Sequence, residues 1–449
     1  MTKDPKILVG NGVVLTLGAD NRVIHQGAVL IEGGKIAAIG ETAGLRRDHP
    51  DADWIDAGGK TILPGFICAH HHLYSTFACG LAPKPAANFV ETLENLWWKL
   101  DRALDMNDVR LSALIPLVRC IRSGTTTIFD HHASPSAIRG SLDVIADAVL
   151  ESGIRASLCY EITDRNGQQG TDDGIAESEA FLQRAAADSS GRLHGLVGLH
   201  AGMTISPETL DRCVDLAKRY DTGLHVHVAE DKADQVDSVA KYGMRVLERL
   251  YVAGGLGPKT LSVHNIHIDD AEMERLAETH TNAVHNPQSN MNNAVGAARV
   301  VDMAAKGIRV GLGTDGMTSD MKEEVRAGLW LRHHVAEDPR VGFMDMANML
   351  VTANPAIATQ FMGRKLGELS VGAAADVIVS DHIPFTPLDS NNVLGHLIFG
   401  VSASAVDTTI ADGKILMRHK ELQTLDWAAI CQQAAKAAPQ TWRRFAAID

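Results

Sequence analysis

Hydrophobic residues near both ends of the chain occur in short runs that are interrupted by polar and turn residues. Gly33-Gly34 separates the runs 28–32 and 35–39, a pattern that predicts a β-hairpin. The same pattern of short runs and turns occurs close to the C-terminus, so we predict that residues 1–60 and 372–420 together form one small β-sandwich domain. The runs are 7–9, 13–17, 28–32, 35–39, 375–380 and 408–416.

The middle of the chain has a different pattern, in which eight short hydrophobic runs each precede a segment with helical spacing. The runs are 62–68, 125–129, 155–160, 193–199, 223–229, 260–263, 282–284 and 308–313. Alternating strands and helices favour a parallel sheet, and eight such units predict a closed (β/α)8 TIM barrel over residues 61–371. We therefore predict an α/β protein that ends in a helical segment over residues 421–449.

Histidine and carboxylate residues follow most of the predicted barrel strands. Functional side chains of a (β/α)8 barrel lie at the C-terminal ends of its strands. The sequence therefore predicts an active site at that face of the barrel. In chain order, the polar residues at these positions are His70, His71, His72, Asp130, His131, His132, His200, His225, His227, Glu230, His264, His285, Asn286 and Asp315.

Four of these residues have the chemistry of a metal site. His70 and His72 are two residues apart on a strand, so their side chains share a face, whereas His71 points the other way. His227 and Asp315 come from strands on the far side of the predicted barrel. Three imidazoles and one carboxylate suit Zn²⁺ or Fe²⁺ and leave a position for water, so we prefer a metal site to a set of unrelated polar residues.

Composition and charge narrow the class of protein. Lys and Arg number 42 and Asp and Glu number 55 in the 449 residues, a formal net charge of −13 that argues against nucleic-acid and anionic-membrane partners. The six cysteines show no C-x-x-C spacing. The start, Met1-Thr-Lys-Asp-Pro5, lacks an apolar run, and no stretch reaches the ~18 apolar residues of a membrane span. We therefore expect a cytoplasmic protein.

Four motifs stand at the ends of predicted barrel strands: Pro64-Gly65-Phe-Ile-Cys-Ala-His70-His-His72, His227-Val-Ala-Glu230, Ser262-Val-His264 and Gly313-Thr-Asp315-Gly316. Together they resemble the amidohydrolase superfamily, in particular its cytosine/guanine deaminase and chlorohydrolase branch. Residues 94–102, 130–135, 163–166 and 289–293 are similar to the SsnA aminohydrolase group. Binuclear members of the superfamily carry a lysine at the end of strand four, which residues 195–200 lack, so the resemblance implies one divalent ion per subunit, Zn²⁺ or alternatively Fe²⁺.

The resemblance also implies a mechanism, in which hydroxide adds to an sp² ring carbon of a small nitrogen heterocycle and ammonia leaves. Asp315 is the expected base, and Glu230 is expected to protonate a ring nitrogen and then the leaving group. His264 either orients the hydroxide and stabilises negative charge or serves as a further imidazole ligand. The same attack can expel chloride or sulfide. Two competing hypotheses are ring opening of a cyclic amide and a non-catalytic barrel scaffold.

Substrate contacts are expected from residues that surround this centre. His200 matches a strand-four position that binds substrate in relatives, although it is alternatively a buried barrel histidine. His285, Asn286 and His132 are candidates for lining the pocket or for structural roles. Trp98 is a candidate ring-stacking surface, with burial in the core as the alternative.

Three further residues bear on the substrate. Leu100 occupies the position where adenosine-type deaminases carry an acidic residue, which argues against a nucleoside. Glu161 and Asp164 follow strand three, and we expect a solvated loop there rather than a contact with a donor-rich substrate group. The expected partners are a small heterocycle and, from the resemblance, further copies of the chain in a homodimer or larger homo-oligomer.

Overall fold

A computed structural model describes residues 6–448. The residues Met1 to Pro5, on which the argument about the N-terminal start depends, lie outside the described residues, as does Asp449. Within 6–448, none of the helices combines the length and the apolar character needed to cross a bilayer.

Eight parallel strands, the fourth of which is divided into two segments, form a barrel. This confirms the predicted (β/α)8 architecture. Bridges from His71 to Asp315 and from Ile162 to Leu199 connect the two sheets into which hydrogen bonding divides the barrel. The predicted runs correspond to the strands because parallel strands are covered on both faces and therefore read as continuous apolar segments. Barrel strands 1 to 8 are Phe66–His71, Thr125–His132, Arg155–Tyr160, Leu193–Gly195 with Val197–Ala201, Leu224–Val228, Leu261–His264, Asn282–His285 and Val310–Leu312.

Helices surround the barrel and cover its outer face. Pro207–Arg219 shows why they form: Ser206 caps its first turn by accepting from the Thr209 N–H, Pro207 occupies the first turn, and the apolar stripe faces inward. Shorter 3-10 and π turns connect several of these elements. The α-helices are Thr42–Asp48, Phe89–Thr92, Trp98–Ala103, Met106–Ser123, Ser141–Ser152, Gly167–Ala187, Pro207–Arg219, Lys232–Tyr242, Val246–Val252, Asp270–Glu278, Pro287–Asn292, Val300–Ala305, Met321–Ala336, Phe343–Asn348, Asn354–Met362, Val393–Phe399 and Trp427–Ala447.

Strands from both ends of the chain form the small β domain, a nine-stranded sheet. The sheet folds over on itself, since the turn at Gly34 lies against Asp412 at the other end of the strand order, where a Cβ on Gly34 would be 3.2 Å from the Asp412 carbonyl oxygen. Val29, Val377 and Ile410 share its core. The strands are Lys6–Leu15, Val23–Glu32, Lys35–Glu41, Asp53–Asp56, Thr61–Pro64, Val377–Ser380, Val406–Ala411, Lys414–Arg418 and Glu421–Leu422.

The first predicted barrel run, 62–68, is divided between the two sheets. Thr61–Pro64 pairs with Lys6–Leu15 in the small domain, and barrel strand 1 begins at Phe66. Gly65 allows this change of sheet, because a Cβ there would lie 2.4 Å from the Thr126 side chain. The exact domain boundaries stay a prediction.

A buried ion pair connects the barrel to the small domain. Arg155, fully buried at the start of barrel strand 3, donates from Nη1 to Asp376 Oδ2 across 2.7 Å. Asp376 Oδ1 also accepts from the backbone N–H of Asp412 at 2.8 Å. This pair orients the small domain against the face of the barrel opposite the candidate site, since Arg155 lies at the N-terminal end of its strand.

Candidate metal centre and active site

His70 and His72 project from the end of barrel strand 1 to the same side, as predicted, whereas His71 turns away and contacts Ser319. His70 Nδ1 lies 2.8 Å from His225 Nε2. His72 Nδ1 donates to the carbonyl oxygen of His131 at 2.5 Å. Both rings are therefore held by their Nδ1 atoms, which leaves their Nε2 atoms facing the barrel mouth.

His227 and His264 are held in the same way from the opposite side of the barrel. His227 Nδ1 donates to the carbonyl oxygen of His200 at 2.8 Å, and His264 Nδ1 donates to Asn290 Oδ1 at 2.9 Å. The Nε2 atoms of all four histidines consequently face one small volume. Within residues 6–448, the Nε2 atoms of His70 and His264 are buried and have no hydrogen-bond partner.

Asp315 adds a carboxylate to the four histidines His70, His72, His227 and His264. We call these five residues the metal-ligand set. The Oδ1 of Asp315 lies 3.2 Å from His72 Nε2 and 4.0 Å from His70 Nε2, and its Oδ2 lies 3.6 Å from His264 Nε2. The backbone of Asp315 has a φ of 54°, in the left-handed region that is sparsely populated by residues other than glycine. Strained backbone of this kind is concentrated at functional sites.

The donor set fits a divalent metal ion. His72 and His227 each donate Nδ1–H to a carbonyl oxygen, so each Nε2 carries a lone pair, and these two atoms are only 3.2 Å apart. The Asp315 carboxylate adds further lone pairs. Burial lowers the pKa of His70 and His227 well below the usual value, which keeps them neutral. Converging lone pairs without protons between them repel one another unless a cation lies among them.

Glu230 lies beside this set and is held by two neighbours. Its Oε2 is 3.5 Å from His264 Nε2, and its Oε1 accepts from Asn293 Nδ2 at 3.1 Å. Burial raises the pKa of Glu230 well above its usual value, and the Asp315 carboxylate raises it further. The surroundings of Glu230 therefore favour its protonated form.

Helix Pro287–Asn292 positions both His264 and Glu230. Asn290 lies within this helix and accepts from His264, and Asn293, its C-terminal cap, donates to Glu230. Residues three apart share a helix face, so one short helix supports both side chains. The sequence marks residues 289–293 only through a resemblance, and the role of Asn293 does not follow from it. The i, i+3 spacing of the two asparagines after barrel strand 7 is the signal that could have found that role.

A cavity that is partly open to solvent lies above the metal-ligand set. His200 and Trp98 line it, and their rings meet edge to face at 5.9 Å; that they contact the substrate stays a prediction. Glu161 also lines it, whereas Leu100 is completely buried in the hydrophobic core. The lining residues are His72, Tyr74, Ser75, Phe89, Leu93, Trp97, Trp98, Glu161, His200, Ala201, Met203, His227, Glu230, Asp231, Asp234, Ser289, Asn293, Asp315, Gly316 and Met317.

Three predicted substrate-binding residues lie behind the cavity wall rather than in it. His132 Nε2 is 2.9 Å from Ser134 Oγ, and Asn286 Nδ2 is 3.5 Å from His264 Nδ1. His285 is buried at the end of barrel strand 7, where burial lowers its pKa to about 3. None of the three is among the residues that line the cavity in the described part of the chain. Their side chains pack into the barrel because the neighbouring His72, His227 and Asp315 occupy its mouth.

Comparison with known proteins agrees with this geometry. Residues 61–416 match the model of the amidohydrolase family, and residues 27–52 match that of a bacterial imidazolonepropionase-like composite domain. The chain is 32% identical to a 5'-deoxyadenosine deaminase of Methanosarcina mazei, over 97% of this chain and 98% of the relative. It is also 32% identical to a 5-methylthioadenosine/S-adenosylhomocysteine deaminase of Moorella thermoacetica, over 96% of this chain and 98% of the relative.

A solved structure shows the same fold. An adenosine deaminase from Xanthomonas campestris, described with bound zinc, superposes with a TM-score of 0.86. It is 24% identical to this chain and covers 99% of this chain and 100% of its own. This likeness supports the barrel and the small β domain as one shared architecture.

Proposed function

The chain belongs to the amidohydrolase family, and on that premise we propose that it is a metal-dependent hydrolase that removes an exocyclic amino group, as ammonia, from a small nitrogen heterocycle. The relatives named above are deaminases of 5'-deoxyadenosine and of 5-methylthioadenosine/S-adenosylhomocysteine. The reacting carbon in this class is an sp² ring carbon next to nitrogen.

His70, His72, His227 and Asp315 would hold the divalent ion, with zinc the preferred ion and His264 either beside it or as a further ligand. When bound, such an ion lowers the pKa of a water molecule from about 15.7 toward about 7, which makes hydroxide available at neutral pH. The neutral imidazoles and the convergent lone pairs support this assignment.

Glu230 is the residue that moves protons onto the substrate in this proposal. Burial raises the pKa of Glu230 and so favours its protonated form, which can donate to a ring nitrogen as the adjacent carbon is attacked. Its contact with Asn293 holds the carboxyl group at the edge of the cavity. The observation that carries the proposed function is the position of this buried carboxyl group, 3.5 Å from His264 Nε2 and at the cavity wall.

Asp315 and His264 have the remaining roles in the proposed reaction. Asp315 is the proposed acceptor for the proton of the attacking water, since its Oδ2 faces the same volume as Glu230 and His264. His264, which donates its Nδ1–H to Asn290, presents an Nε2 lone pair that would accept a hydrogen bond from the attacking water and orient it.

The proposed function is tested with the purified protein, its metal content measured, on aminopurines, aminopyrimidines, aminotriazines and 5'-deoxyadenosine. We expect ammonia in amounts equal to the substrate consumed from at least one compound, and loss of that activity when a chelator removes the metal. Chlorinated and thioxo analogues test chloride and sulfide as leaving groups. If none of the compounds releases ammonia but chloride or sulfide is released, displacement of chloride or sulfide replaces deamination as the function. If a ring-opened product forms instead, ring opening replaces it.

A further inference from the structure

Glu161 lies in the wall of the cavity, at the end of barrel strand 3. Only 4% of its surface is exposed, which is the burial of a core residue and excludes the solvated loop expected from the sequence. Its backbone N–H donates to the carbonyl oxygen of His132 at 2.7 Å, which holds the residue against barrel strand 2. A buried carboxylate that borders a cavity needs a partner there, because leaving it unpaired costs free energy.

The neighbours of Glu161 leave part of its acceptor capacity unused. Its Oε2 is 3.2 Å from His131 Nδ1. Its Oε1 is 3.8 Å from Arg165 Nη2 and 3.9 Å from His200 Nε2, and both separations exceed hydrogen-bonding distance. Among the described residues, Oε1 therefore accepts no hydrogen bond and faces the cavity.

The nearby cation, Arg165, is shared between two carboxylates. Arg165 donates to Asp101, a carboxylate buried behind the cavity wall, and its guanidinium lies over the Trp98 ring at 5.2 Å. Asp101 and Glu161 thus share one guanidinium, which is bonded to Asp101. A hydrogen-bond donor in the cavity is the partner that Glu161 Oε1 lacks among the described residues.

Asp164, three residues later, differs from Glu161 because both of its carboxylate oxygens accept hydrogen bonds. The sequence could not distinguish the two residues in this respect. Its Oδ1 accepts from Thr171 and Thr209 at 2.9 and 2.6 Å, and its Oδ2 accepts from the Ser206 N–H at 2.7 Å. These bonds satisfy both oxygens and tie the loop to helix Pro207–Arg219. Asp164 is a structural residue, which leaves Glu161 as the carboxylate available to a ligand.

Glu161 is also close to the metal-ligand set. The His131 ring contacts Glu161, and its centroid lies 4.6 Å from that of His227 and 5.5 Å from that of His72. One imidazole ring therefore separates Glu161 from the ligands. A substrate whose reacting carbon lies at the ligand set would place atoms of its own ring, rather than a distant substituent, beside Glu161.

Building on the proposed function, we infer that Glu161 binds the substrate and selects heterocycles that present amino or ring N–H donors beside the reacting carbon. A carboxylate only accepts hydrogen bonds, and Oε1 is the oxygen of Glu161 that faces the cavity. Compared with their monoamino analogues, diaminopurines and diaminopyrimidines carry one further amino group that can donate to this oxygen. A site that binds a donor in this way rejects the analogue that lacks it, since the buried acceptor is then left unpaired.

Two matched pairs of compounds test the inference: adenine with 2,6-diaminopurine, and 4-aminopyrimidine with 2,4-diaminopyrimidine. Each pair differs by one amino group, and affinities are measured by calorimetry on the purified wild type, Glu161→Gln and Asp164→Asn. We expect the wild type to prefer the diamino compound, and Glu161→Gln to reduce that preference by about 10- to 100-fold, the range for a hydrogen bond to a charged group. Asp164→Asn should keep the preference and lower only the melting temperature.

An unchanged preference in Glu161→Gln, or equal or undetectable binding of both members of each pair by the wild type, would overturn the inference. The affinity for 5'-deoxyadenosine is measured on the same three proteins, and a loss of affinity in Glu161→Gln that is confined to this compound would also overturn the inference, because it would assign Glu161 to sugar hydroxyl groups. Ammonia release, recorded in parallel, separates the two proposals. A Glu161-dependent preference without ammonia supports the binding role and contradicts deamination, whereas equal release by the wild type and Glu161→Gln supports deamination and contradicts the binding role.

Discussion

Asn293 donates a hydrogen bond from Nδ2 to Glu230 Oε1 across 3.1 Å, and this contact lowers the pKa of a carboxyl group that burial raises. The amide favours the charged form, so its removal raises the pKa further. Asn293 thereby adjusts the pH range in which Glu230 carries its proton, in addition to fixing its position.

We predict that Asn293→Ala moves the alkaline limb of the pH profile of kcat/KM to higher pH, by about one unit, because one hydrogen bond to a carboxylate corresponds to roughly that shift. The maximal rate should fall about tenfold through loss of positioning. Met291→Ala, an exposed position on the same helix, is the control and should leave the profile unchanged. An unshifted alkaline limb in Asn293→Ala would show that another group controls it.

Replacement of Glu230 by Gln separates metal binding from proton transfer. The variant keeps the size of the side chain and the ability to contact Asn293, but it cannot exchange a proton. We expect normal metal content by elemental analysis and turnover reduced by at least ~100-fold, the contribution typical of general acid–base catalysis. Turnover near that of the wild type would remove Glu230 from the mechanism, and loss of metal would make it a ligand instead.

His225 supports His70 from behind, with 2.8 Å between His225 Nε2 and His70 Nδ1. Outer partners of this kind orient the ligand, and their loss weakens metal affinity by about 10- to 100-fold. We predict that size for His225→Ala and nearly complete loss of the metal for His227→Ala, both measured by competition with a chelating dye. His194→Ala, which removes a histidine far from the centre, should retain wild-type affinity. Equal affinity in His225→Ala and the wild type would contradict a supporting role.

Glu324 contacts a helix next to the site, and its burial makes the free energy of unfolding depend on pH. It accepts from the Gln288 N–H at 2.9 Å, at the start of the helix that carries the two asparagines, and burial raises its pKa from 4.5 to about 8. The folded chain therefore holds a proton that the unfolded chain releases above pH 4.5, so the contribution of Glu324 to stability falls between pH 4.5 and about 8.

We predict that Glu324→Gln is more stable than the wild type at pH 8.5, by on the order of a few kcal/mol, and no more stable at pH 4.5. Urea unfolding at the two pH values measures this difference. Glu323→Gln, at the exposed neighbouring position, should follow the wild type at both values. A parallel decline of the wild type and Glu324→Gln between these values would show that Glu324 does not titrate in this range.

The architecture of the chain could be predicted because it depends on local patterns. Buried parallel strands read as short apolar runs, and the helices between them show their own period and their own caps, as at Ser206. The run 62–68 reads as one strand because an apolar pattern is the same in either sheet, and the change at Gly65 depends on the distant Thr126. The alternation of His70, His71 and His72 also follows from strand geometry alone.

Local patterns were therefore enough to predict the barrel and the small β domain, and they indicated a set of residues that meet at one barrel face: His70, His72, His227, Asp315, Glu230 and His264. Three features became visible only in the folded chain: which nitrogen of each ring faces inward, that Asn293 supports Glu230, and that Glu161 borders the cavity while Asp164 does not. They could not be predicted because the orientation and burial of a side chain depend on its packing neighbours. Those neighbours come from segments far apart in the sequence, whereas periodicity and spacing describe only what lies within a few residues.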